Sequence, residues 1–173
     1  MKKWLPYLLF ASTVLSVTAL LATSANGQEH ESQEPFPKVE NAAWHSECSG
    51  CHMLYHPALL PTRSWKKIMG GLDQHFGENA SLDAAQREEI TRFLTSHAAD
   101  RQLNARSRRI VQSIPPDDAP LRFSSTLYFI AHHDEIPNTL YQRKSIGSAS
   151  HCAACHHGAE QGEFSESTVR IPR

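Results

Sequence analysis

The chain has 173 residues, a formal charge of −1 at pH 7, 40% hydrophobic and 20% charged side chains, 11 histidines and four cysteines. With no long basic run, this composition excludes a nucleic-acid partner held by bulk charge. The length leaves room for one domain or two small ones.

Residues 1–27 have the layout of a secretory signal peptide: Met1-Lys2-Lys3, an apolar run from Trp4 to Leu21, then small residues from Ala22 to Gly27. Cleavage is expected near Ala25 or Gly27, with a periplasmic destination. The apolar run is near the lower length limit for a bilayer span, so an uncleaved membrane anchor is the alternative. Without Lys2 and Lys3 the balance is 15 basic against 18 acidic side chains, a formal charge of −3. Residues 28–38 are polar, acidic and proline-containing, the composition of a flexible leader.

Residues 39–104 form the first segment. A helix is expected over 39–52, anchored by Trp44 and leading into Cys48-Ser49-Gly50-Cys51-His52. The same pattern returns in Cys152-Ala153-Ala154-Cys155-His156, so all four cysteines sit in C-x-x-C-H motifs. This is the c-type haem attachment signature. Thiols about one helical turn apart can both reach the haem vinyl groups, and the following imidazole is held beneath the iron as proximal ligand. The residues expected to bind the cofactor are therefore Cys48, Cys51, Cys152 and Cys155, with His52 and His156 on iron. Two disulfides, a four-cysteine zinc site or a thioredoxin-like site would use the same cysteines. Zinc-ribbon pairs lie about 15–20 residues apart, whereas Cys51 and Cys152 are 101 positions apart. None of these readings accounts for the histidine after each pair.

Leu54 to Pro61 reads as an apolar loop suited to covering a haem face. Thr62 or Ser64 is a candidate cap for a helix whose buried face is Trp65, Ile68, Met69 and Leu72, weakened by Gly70-Gly71 and ended by Gly77. A further helix is expected from Leu82 to Asp100, with Ser81 or Asp83 as its cap and Ile90, Phe93, Leu94 and His97 on one stripe. Residues 105–120, with Arg106, Arg108, Arg109 and a Pro115–Pro120 break, read as a linker. Arg101, Arg106, Arg108 and Arg109 are candidate partners of haem propionates or a solvated helix face. Residues 121–173 form a second haem segment: a short helix capped by Ser125 or Thr126, a stop at Ile136-Pro137, a loop from Leu140 to Gly147 and a brief helix at Cys152–His156. It holds few apolar side chains, and a covalently held macrocycle would supply its apolar centre.

Each iron needs a sixth ligand or leaves that position open. Met53 is a further candidate; His45, His56, His151 and His157 lie within seven residues of a proximal histidine and are poorly placed to wrap round its haem, and His30 is in the leader. For the first haem His75 is favoured, one i+3 step beyond the Trp65–Ile68–Leu72 stripe, with Met69 and His97 as alternatives. For the second, His133 is favoured over its neighbour His132.

Several stretches resemble the soluble dihaem cytochromes c of proteobacteria. They include Cys48–His52, Leu59–Trp65, Asp73–Leu82, His133–Pro137, Cys152–Glu160 and Val169–Arg173. The resemblance implies a mainly α fold, with a class I cytochrome c-like N-terminal domain and a small, irregular second haem domain. It implies two covalently attached haem c groups with bis-histidine iron, and its motif matches place the distal ligands at His75 and His133. It further implies redox-protein partners: a small oxygen-binding monohaem cytochrome c and a membrane b-type cytochrome.

The expected function is thus a periplasmic electron relay with two low-potential haems and no small-molecule substrate, an electron carrier and not an enzyme. The rival is a small haem enzyme reducing peroxide, nitrogen oxides or oxygen at an open or labile iron. A gas or redox sensor would need an output element that the sequence lacks.

Overall fold

In a computed structural model that describes residues 35–173, the chain is helical. The expected signal peptide and residues 28–34 of the leader lie outside the described residues. Helix α1 (Ala42–Cys48) starts where the Asn41 side chain accepts a hydrogen bond from the Trp44 N–H at 2.7 Å. It is shorter than the expected 39–52 and delivers Cys48 as its last residue.

Helix α2 (Thr62–Gly70) is capped from across the fold, not by Thr62 or Ser64: Asp100 Oδ1 accepts from both the Thr62 N–H (2.8 Å) and its hydroxyl (2.7 Å). It ends at Gly70, seven residues before Gly77, because consecutive glycines lose backbone entropy that a helix does not return. Leu72–Gln74 make one 3-10 turn, and the chain reverses through His75, Phe76 and Gly77. Helix α3 (Ala84–Ser96) is capped by Asp83, whose carboxylate accepts from the Gln86 N–H at 2.9 Å.

Helices α1, α2 and α3 bury one cluster around Trp44, Trp65, Ile90 and Leu94. Trp44 packs on Phe93 with ring centroids 5.0 Å apart, and the Trp65 indole N–H donates to Pro57 O at 2.7 Å. Met69, 5% exposed, belongs to this core.

The stretch read as a linker carries helix α4 (Ala105–Gln112), capped by Asn104. Its Ile110 is fully buried, in a second cluster with Leu59, Ile114 and Phe36. Phe36 corrects the expectation for the end of the leader. Its N–H donates to Gly162 O at 3.0 Å and its ring stacks on His56 at 4.9 Å, so Pro35–Lys38 is tied to the body of the protein. The proline-rich stretch folds back as a turn, with Arg63 donating to the carbonyls of Pro115 (2.9 Å) and Asp118.

In the last fifty residues helix α5 (Leu127–His132) is capped by Thr126. Helix α6 (Asn138–Tyr141) follows directly on Pro137, inside a stretch expected as a turn and loop. Cys152–Ala154 form a 3-10 turn. Few large apolar side chains are buried here, chiefly Phe129 and Ile146. No helix among the described residues is long and apolar enough to cross a membrane.

Candidate functional site

His52 follows the end of α1, and its ring Nδ1 lies 2.7 Å from Met53 O. A carbonyl only accepts, so Nδ1 carries the proton and Nε2 keeps a free lone pair. The His75 imidazole faces it, with ring centroids 6.1 Å apart and planes at 33°. In the second segment His133 faces His156, also with centroids 6.1 Å apart, at 73°. His133 Nδ1 donates to Phe129 O at 2.9 Å, and its ring stacks on Phe129 at 4.0 Å.

The two equal separations test whether a metal centre fits. A ring nitrogen binds a metal at about 2.0–2.1 Å, and the centre of a five-membered ring lies about 1.15 Å from its atoms at ordinary bond lengths. Two imidazoles sharing one metal ion in line would therefore have centroids about 6.3–6.5 Å apart, and twist about their shared axis would leave that distance unchanged. Both pairs lie within a few tenths of an ångström of it. His156 Nδ1 is buried without a hydrogen-bond partner.

His133, Cys152, Cys155 and His156 line one cavity of about 770 Å³, inside the roughly 300–1,000 Å³ range of cofactor sites. Its walls include Phe36, Ile110 and Phe129. Burial pushes the Cys152 thiol up to about 11, so it stays protonated and apolar at neutral pH. His75, His133 and His156 are all held below the ordinary histidine range, in each case first by burial. They are thus neutral imidazoles, the form a metal requires. No cysteine is in a disulfide, and among the described residues no group of three or more His, Cys, Asp or Glu side chains is assembled for a metal ion. The two cysteine pairs therefore do not converge on a zinc site.

The remaining candidates have other places. His97 closes α3, its Nδ1 2.9 Å from Phe93 O. His132 stacks on Tyr128 at 4.1 Å and bonds Tyr128 O at 2.7 Å. His56 is buried with both nitrogens in use, Nε2 donating to Pro37 O and Nδ1 accepting from the Ala58 N–H. Of the four arginines named as propionate partners, Arg106 lines the cavity; Arg101 and Arg108 are exposed.

Tyr55 joins the two sites. Its ring is 5.0 Å from His52 and its hydroxyl donates to Ser150 O at 2.7 Å, two residues before Cys152. Sequence patterning carries no signal of this contact, since the partners are 95 positions apart. Phe36 escapes a reading of the sequence for the same reason, its partners His56 and Gly162 lying far along the chain.

Residues 44–164 match the family model described as dihaem cytochrome c. The chain belongs to the dihaem cytochrome c family. As a dihaem cytochrome c it carries two covalently bound haem c groups and is a haem-based electron carrier. It is similar to a solved diheme cytochrome c from Rhodobacter sphaeroides, with 42% identity over 73% of this chain and 98% of that one and a TM-score of 0.65. A second structure of the protein purified from that organism gives 40% identity over 74% and 100%, with a TM-score of 0.59. A diheme cytochrome c from Shewanella baltica gives 37% identity over 78% and 95%, with a TM-score of 0.63. No curated protein matches. Both the helical fold and the family expected from the sequence are found.

Proposed function

We propose that this dihaem cytochrome c relays electrons between redox proteins through two bis-histidine haems. Cys48 and Cys51 attach the first, ligated by His52 and His75; Cys152 and Cys155 attach the second, ligated by His156 and His133. The observation that carries the reading is the pair of facing imidazoles at 6.1 Å in each segment. Haem iron supplies a reversible one-electron couple. The two histidine pairs would hold the irons, so no substrate would reach either without displacing a histidine, and the protein acts as a carrier and not as an enzyme. Met69 packs in the α1–α3 core, and with His75 and His133 as the partners of His52 and His156 neither haem has the His/Met pairing that raises potential, so both couples are low. Tyr55, touching His52 and bonded to the stretch of chain before Cys152, sets the two sites close together. Export by residues 1–27 places the relay in the periplasm. The redox partners this reading calls for are those the resemblance implies, a membrane b-type cytochrome and a small oxygen-binding monohaem cytochrome c.

The test is His75→Ala and His133→Ala on the haem-loaded protein, read by optical spectroscopy of the reduced state with and without carbon monoxide. Each variant is expected to convert one haem to a high-spin, CO-reactive form, with two haems per chain retained. If both variants stay low-spin, the ligand assignment is wrong.

A further inference from the structure

The side chain of His75 has no hydrogen bond among the described residues, unlike His52 and His133, whose Nδ1 atoms are tied to backbone carbonyls. Ligating imidazoles are ordinarily oriented by such a bond. Something else aims His75. The loop that carries it is closed by backbone bonds from the Glu78 N–H to His75 O (3.1 Å) and from the Ala80 N–H to Leu72 O (2.8 Å).

Within this loop Phe76 has φ of +54°, the left-handed region that a bulky side chain rarely adopts. Its ring lies edge-on to His75 with centroids 4.9 Å apart, yet 47% of Phe76 is exposed, so core packing does not force the conformation. Strain of this kind persists only where the surroundings over-determine it. One contact on that ring comes from the other haem segment: Arg122 Cζ sits 3.8 Å from the Phe76 ring centroid, a close cation–π stack.

Arg122 is itself fixed at the backbone. Its carbonyl accepts from the Ser125 hydroxyl at 2.7 Å and the Ser125 N–H at 3.2 Å. The next residue, Phe123, packs against both buried clusters.

We infer that Arg122 is a positioning residue for His75: its stack on Phe76 locks the strained turn, so the second haem segment holds the distal imidazole of the first haem in place. This rests on the reading of His75 as an iron ligand. The clamp ties the closure of the first iron to the seating of the second segment. Loosening that contact frees His75 without touching either attachment motif.

The experiment measures carbon monoxide binding to the reduced, haem-loaded full chain. Wild type is compared with Arg122→Ala, Arg122→Lys, Phe76→Leu, the double variant Arg122→Ala/Phe76→Leu, and His75→Ala as reference. Losing a cation–π contact of this closeness is expected to raise CO binding at one haem about five- to thirtyfold in Arg122→Ala. Phe76→Leu is expected to give a similar rise and the double variant no further one, while Arg122→Lys, which keeps a cation over the ring, restores slow binding. If Arg122→Ala fails to load haem, Phe76→Leu and Arg122→Lys carry the same comparison. The clamp is overturned if CO binding stays at the wild-type rate while His75→Ala opens the haem. It is also overturned if the Arg122 and Phe76 effects multiply in full, since Arg122 then acts through another group. If His75→Ala itself fails to open a haem, the ligand reading falls instead.

Discussion

Replacing Phe36 by alanine tests whether the end of the leader is a structural part of the protein. Phe36 is 4% exposed, stacks on His56 at 4.9 Å, meets Phe164 edge-on at 6.0 Å and lies 5.3 Å beneath the Arg106 guanidinium carbon. It also lines the cavity that holds His133 and His156. Removing a buried phenylalanine side chain costs about 3–5 kcal/mol. The lower end applies here, because a short segment can leave its groove and admit water where a central core site would keep a void. For a domain of this size about 3 kcal/mol corresponds to a fall in Tm of roughly 12 °C. Phe36→Leu, which keeps most of the volume, is expected to lose about a third of that. The assay is thermal unfolding of the oxidised, haem-loaded protein followed by far-ultraviolet circular dichroism. A change below about 2 °C for Phe36→Ala would return the segment to the status of a loose leader and refute the packing argument.

Gly162 has φ of +77°, and a Cβ there would stand 3.0 Å from Phe36 Cβ and 3.2 Å from its backbone N and O. Gly162→Ala is therefore expected to destabilise the protein by about 1–3 kcal/mol, measured by urea unfolding; an unchanged midpoint would contradict it. His56 is held below its ordinary value of 6.5, chiefly by burial, against the upward pull of its bond to Pro37 O. A histidine whose folded value is depressed takes up its proton more readily when unfolded, so its stability is intact above pH 6.5 and falls as the pH drops from there towards the folded value. The urea midpoint of the wild type should decline over that window with a component of at most about 1.4 kcal/mol per pH unit, and His56→Gln should lose that component; equal slopes would contradict it. Cys48→Ala and Cys152→Ala should each weaken covalent attachment at one haem, seen as loss of one haem mass per chain under denaturing mass spectrometry; two intact attachments would oppose the assignment.

The chemistry of this fold is most legible in the sequence where it is local. C-x-x-C-H is a contiguous pattern, and its two copies by themselves point to two haems. Helix α3 is legible because Ile90, Phe93 and Leu94 repeat at helical spacing and Asp83 is an ordinary cap. Thr126 marks the start of α5 on similar grounds. Contacts made at long range are not legible. His75 does face His52, but from a loop beyond a 3-10 turn and not along the stripe of α2, which Gly70 ends. Asp100 caps α2 from 38 residues away. Phe36, one aromatic in a polar stretch, has no periodicity to mark it as buried. Arg122 over Phe76 and Tyr55 on Ser150 arise only once the two segments meet.

An absorption spectrum of the reduced protein, matured with both haems and recorded before and after addition of carbon monoxide, with haem content taken from the same sample, tests whether histidines close both irons. Two imidazole pairs at 6.1 Å predict two haems per chain, both low-spin, with no prompt spectral change on mixing with the gas and only slow binding afterwards. Prompt CO binding at either haem would contradict closed coordination and turn the account towards an enzyme with an open iron.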